Sequence, residues 1–155
     1  DSDVDPFTDQ GLFEGVKGKE NVAIVGFTTD GDVFGGFFAT PVTEQNKNVI
    51  DPTIFAFSFE SRGRCMTPQR FPVKEWLKSK ASVVFCKNDS RGFVFFWVGV
   101  AGGFFLGNEK SESYCFDLSD AFEGLEDTTL TGNTWRSEEN QKCHHCTRLV
   151  AVQLS

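Results

Sequence analysis

The chain has 155 residues and a formal net charge of −7, with 18 phenylalanines against three tryptophans and one tyrosine. That length makes a single domain, 1–155, able to bury a continuous core, and rings without polar tips suit the interior of a β-protein. The charge opposes a grip on DNA or RNA, which rests on Lys and Arg neutralising phosphates, and no apolar run has the length of a membrane-spanning helix.

In chain order, the segment to Glu20 is acidic and then glycine-punctuated, with a short helical turn expected around Leu12, Phe13 and Val16. Val22 to Phe27 reads as a short buried strand, and Asp30-Gly31 turns it into a second strand, Val33 to Thr40. Thr43 to Pro52 is polar and ends in Asp51-Pro52, the mark of a loop, after which Ile54 to Glu60 alternates as a half-buried strand. Ser61-Arg62-Gly63-Arg64 is a turn. Phe71 to Lys80 carries two periods: Val73, Trp76 and Leu77 at helical spacing, and Phe71, Val73 and Glu75 alternating as on an edge strand. Strand plus turn is the favoured reading.

Further strands are expected at Val83 to Cys86, Phe93 to Gly99, Gly103 to Leu106, Ser111 to Leu118 and Leu149 to Leu154, the last two separated by a polar, loop-like region. The longest apolar stretch, Gly92 to Leu106, is broken by four glycines into two strands. Short strands at this spacing with few helices predict a mainly β (α+β) domain of two packed antiparallel sheets, a β-sandwich. Because alternate residues of a strand share a face, Phe34, Phe37, Phe55, Phe57, Phe95 and Trp97 are expected to supply most of the core's large rings.

Five stretches occur in a particular order: Asp30-Gly31-Asp32-Val33-Phe34-Gly35-Gly36-Phe37, Phe55-Ala56-Phe57-Ser58-Phe59, a strand opening on Gly102-Gly103, Ser111-Glu112-Ser113-Tyr114-Cys115-Phe116, and Arg148-Leu149-Val150-Ala151-Val152. In that order they resemble the TLDc domain over most of the chain. The resemblance implies a non-catalytic protein-interaction or regulatory domain, linked to the oxidative stress response or to the vacuolar-type proton ATPase (V-ATPase), with a subunit of that pump as a partner. It carries over no catalytic residue and no cofactor. Gly35, Gly36, Gly102, Gly103, Ser111, Ser113 and Cys115 fall on its motifs in structural roles. Asp1 to Asp5 matches the end of the family's first strand, so the chain is expected to be a fragment of a longer protein. The closing strand also departs from the family, with Val152-Gln153-Leu154 where a glutamate is usual.

Chemistry-bearing residues are sparse. Cys143-His144-His145-Cys146 holds two thiols at a spacing that chelates zinc, but a structural zinc wants four ligands and there is no second C-x-x-C, so the metal and redox readings stand behind an exposed approach to the last strand. Cys65, Cys86 or Cys115 would have to complete a site. Five cysteines without a dense framework suit a reducing cytosol or nucleus. Asp1-Ser2-Asp3-Val4-Asp5 mimics half a calcium loop, yet Pro6 and Leu12 stand where glycine and glutamate are required. Ser58, Ser111 and Ser113 lack a nucleophile elbow, and the only histidines adjoin one another, which argues against a hydrolase.

Charge offers two further readings. The acidic runs Glu123 to Asp127 and Glu138-Glu139 are solvated loops or a docking surface for a basic partner. Arg62, Arg64, Arg70, Lys74, Lys78 and Lys80 cluster in sequence, and a basic face built from them would make the alternative function a nucleic-acid-associated regulator of stress-responsive transcription.

Overall fold

The structure, a computed structural model, describes residues 7–132 and 143–155. The Asp1 to Asp5 run and the Glu138-Glu139 pair lie outside these residues. The chain opens with α1 (Asp9–Val16), capped by the Thr8 hydroxyl, which accepts from the Gly11 amide at 3.0 Å. Its Phe13 and Val16 face inward. Then come β1 (Val22–Thr28), β2 (Val33–Phe38), β3 (Val49–Ile50), β4 (Phe55–Glu60), β5 (Gln69–Pro72), a 3-10 helix (Glu75–Lys80), β6 (Ala81–Phe85), β7 (Val94–Val98), β8 (Gly102–Leu106), β9 (Cys115–Phe116), α2 (Leu118–Ala121) and β10 (Cys146–Gln153).

The strands form two five-stranded antiparallel sheets, ordered β10-β1-β2-β4-β5 and β3-β6-β7-β8-β9. They pack as the predicted sandwich. Asp30-Gly31 makes the β1–β2 hairpin, with Gly31 at φ +95°, where a side chain would be strained. The strand read over Phe71 to Lys80 divides into the end of β5 and the 3-10 helix.

Between the sheets lies a phenylalanine core. Phe34 meets Phe104 edge to face at 5.7 Å, Phe96 stacks on Phe104 at 5.2 Å, and Phe38 lies 6.3 Å from Phe96. Gly36 makes this possible, because a Cβ there would come within 2.7 Å of the Phe96 ring. The first sheet thus presents small inward residues, Gly36, Ala56 and Ser58, where the second presents large ones.

That division corrects the expected core. Of the six rings named from the alternation, only Phe34 points between the sheets; Phe37, Phe55, Phe57, Phe95 and Trp97 lie on the outer faces, where Phe57 is nonetheless buried, at 5% exposure. Their inward neighbours Phe38, Phe96, Phe104 and Phe122, with Phe71 and Phe85, fill the interior. The strands are apolar on both faces, so alternation identifies two sets of residues without saying which is inside.

Smaller departures have local causes. Val49–Ile50, read as loop, pairs with β6. Ser111 to Leu118 is not one strand: the Ser111 hydroxyl accepts from the Asn108 amide at 3.0 Å and holds a turn, so only Cys115–Phe116 pairs with β8 before Asp117, at φ +46°, leads into α2. The polar region after it holds Phe122, which bridges to Val73, and the last strand starts at Cys146 rather than Leu149. No helix among the described residues is long and apolar enough to cross a membrane.

Candidate functional site

The outer face of the first sheet is built from strand register. Residues opposite one another across neighbouring strands point the same way, so Val152, Ala23, Phe37, Phe55 and Pro72 form one row and Val150, Val25, Gly35, Phe57 and Arg70 the next. The third row runs Arg148, Phe27, Val33 and reaches the bulge at Phe59-Glu60, where the Glu60 carboxylate turns back to accept from the Arg62 amide at 2.7 Å. The first two rows contain a single charge, Arg70. An antiparallel sheet that faces water on one side normally carries polar residues there. This one does not.

Its relief is a trough. Phe37 stacks on Phe55 at 4.8 Å, Phe55 meets Phe57 at 6.4 Å and Phe57 meets Phe59 at 4.9 Å, giving an aromatic wall along β4. The floor is low because its residues are small: the Phe57 ring reaches over Gly35, and Ala23 and Val25 line the hollow beside it. Val152 and Leu154 form the opposite wall. The open hollow measures about 400 Å³, and Phe59, Leu154 and Val152 on its margins are 52%, 46% and 40% exposed. A second hollow of about 350 Å³ shares Phe37, Phe55 and Arg70 with it and adds Lys78. The Arg70 guanidinium lies 5.4 Å from the centre of the Phe55 ring, as Arg148 does from Phe27.

The second sheet's outer face is also aromatic, and its rings stack as those of the first do. Phe95 stacks on Phe105 at 4.0 Å and on Trp97 at 5.8 Å, and Arg91 lies 4.9 Å above Phe105, which is buried.

The sequence candidates are scattered. Arg64 turns inward, pairing with the wholly buried Asp32 and donating to the carbonyls of Thr129 and Leu130. Lys78 pairs with Glu75 at 2.8 Å and Lys74 lies over the Trp76 ring at 5.6 Å, while Arg62 occupies an exposed turn and Lys80 lines Gly99. Of these cations, Arg70 and Lys78 border the hollow.

At Gly102 and Gly103 a Cβ would run into the backbone of Phe116, Asp117 and Phe96, so both serve close strand packing. Ser113 donates to the Arg91 carbonyl at 2.6 Å.

None of the five cysteines is joined in a disulfide. Burial pushes Cys86, Cys115 and Cys146 up to about 12, far from the thiolate form that attacks or binds metal, and burial also raises Cys143. His144 is buried: its Nε2–H donates to the Phe105 carbonyl at 2.8 Å and its ring meets Phe34 edge to face at 5.2 Å. Burial, aided by neighbouring His145, holds it down to about 4 against the opposing pull of that hydrogen bond, so it is neutral near pH 7. The Cys143 to Cys146 segment is therefore not the exposed approach expected of it: it threads its second and fourth residues, His144 and Cys146, into the interior. Among the described residues no three of His, Cys, Asp and Glu gather as a cation-holding group.

Sequence reasoning missed the trough. Its signal was present in β2 and β4, where Phe34, Phe37 and Phe38 occupy both faces and three alternating phenylalanines are interleaved with Ala56 and Ser58. Compared with protein-family models and with the curated proteins, the chain matches none.

Proposed function

We infer that this chain is a non-catalytic protein-interaction domain of regulatory type, the role that its resemblance to the TLDc family implies, with the oxidative stress response or V-ATPase regulation as its setting. The observation that supports this reading is the apolar outer face of the first sheet, where Phe59, Val152 and Leu154 stand exposed around the partly covered rings of Phe37 and Phe55. Apolar surface of that kind, contiguous and rimmed by polar groups, marks interaction sites on soluble domains. The buried, protonated thiols and neutral His144 supply no nucleophile or base to that face.

The test is binding of the domain to the purified cytosolic sector of a V-ATPase, compared with a Phe59→Asp, Val152→Asp double variant. Both residues are exposed, so the variant is expected to fold. Saturable binding by the parent domain that the double variant loses supports the reading. Binding that is unchanged in the variant overturns the assignment of the face, and an absence of binding overturns the pump as partner.

A further inference from the structure

The aromatic trough has a shape and a charge that restrict what covers it. A strand laid across the face of a sheet leaves its backbone N–H and C=O groups without partners, because sheets pair at their edges. A helix satisfies those groups internally, which is why layers that cover one face of an antiparallel sheet are so often helical. The low floor over Ala23 and Val25, walled by Phe57 on one side and Val152 on the other, accepts a single ridge of side chains.

The charge is equally restrictive. On a chain of net charge −7, the trough is bordered by the cation Arg70 and its adjoining hollow also by Lys78, which shares its charge with Glu75 at 2.8 Å, with Arg148 farther along the same face. A second copy docked face to face would bring like charges together, whereas carboxylates would meet opposite ones.

Resting on the interaction reading above, we propose that the outer face of the first sheet seats an amphipathic α-helix of a partner protein, its apolar ridge in the trough and its Asp or Glu side chains against Arg70 and Lys78. Apolar burial against the phenylalanines supplies the affinity, and the cations choose among partners and set orientation. The cation–π contact of Arg70 with Phe55 holds the guanidinium along the rim, where a carboxylate can meet it in two hydrogen bonds.

The probe is a synthetic amphipathic peptide of roughly 18 residues, five helical turns, with leucine on one face and glutamate flanking it, set beside the same peptide with lysine in place of glutamate. The glutamate peptide is expected to bind saturably, to shift the amide resonances of Ala23, Val25 and Phe57, and to bind at least about tenfold more tightly than the lysine peptide. Arg70→Glu, whose fold is checked by its amide spectrum, should remove most of that preference, and Val152→Asp should weaken both peptides.

Equal binding of the two peptides overturns the proposal. So does saturation of the trough by dodecanoate while both peptides stay silent, which would assign it to a small amphiphile. A dimer in sedimentation that Val152→Asp dissociates would assign it to a second copy. If neither peptide binds while the Phe59→Asp, Val152→Asp variant still loses the pump, the acidic helix fails and the interaction reading stands.

Discussion

The Phe57 ring lies directly over Gly35: a Cβ at that glycine would come within 2.8 Å of Phe57 Cζ and would overlap the Ile24 carbonyl oxygen. The trough floor depends on this contact, since a larger residue there would lift the ring and push β1 away from β2. Gly35→Ala is therefore expected to destabilise the fold by about 2–3 kcal/mol in chemical denaturation, as overpacking does. The control is Gly15→Ala. Gly15 lies within α1 with open space around it, so the added methyl should stabilise by about 0.5–1 kcal/mol.

The two sets of phenylalanines separate stability from binding. Phe96→Ala removes a ring that contacts both Phe38 and Phe104 at the centre of the sandwich, and about 3–5 kcal/mol should be lost. Phe59→Ala removes a ring that is 52% exposed at the trough margin, and its cost is expected to be about 1 kcal/mol or less. Urea unfolding of both variants checks the assignment of faces; similar losses for the two would mean that the outer face is structural.

Asp32 ties distant segments together through Arg64. Its carboxylate is fully buried beneath the β1–β2 turn, accepting from the guanidinium and from the Thr28 hydroxyl, while Arg64 also donates to Thr129 and Leu130. Removing the arginine leaves a buried charge without its partner. Arg64→Met is expected to cost about 3 kcal/mol, and adding Asp32→Asn to recover a substantial part of it, which a double-mutant cycle reads directly.

How much of this was legible in the sequence follows from what each signal measures. Asp30-Gly31 marked its hairpin because a positive φ at Gly31 is a local requirement, and the apolar runs marked most strands because burial is written into each of them. The choice of inner face was not local. In β4 the residues turned inward are Ala56 and Ser58, and they are inward only because Phe96 and Phe104, some forty residues later, occupy the space opposite. The trough was hidden for the same reason, since its phenylalanines read as core until the opposing sheet supplies a better one. The basic cluster illustrates the converse. Proximity in sequence between Arg64 and Arg70 says nothing of direction, and one is committed to buried Asp32 while the other lies on the outer face.

His144 makes the stability of the domain depend on pH in a window set by its own titration. Burial holds the folded imidazole down to about 4, whereas the unfolded one takes up a proton near 6.5. Below 6.5 the unfolded state therefore binds the extra proton and the folded state does not, so stability falls as pH drops from 6.5 towards 4 and levels off beneath it.

Asp51, where burial pushes the carboxyl up but the Thr53 hydroxyl and the amides of Thr40, Thr53 and Ala39 outweigh it, is held below its ordinary value and loses its contribution only as pH falls further. Between pH 7.5 and 5 the expected loss assigned to His144 is about 2 kcal/mol, measured by urea unfolding at each pH. His144→Gln keeps an N–H able to reach the Phe105 carbonyl while removing the titration, and should flatten that slope. A slope that persists unchanged in the variant would show that the imidazole is not what the acid side of the profile reports.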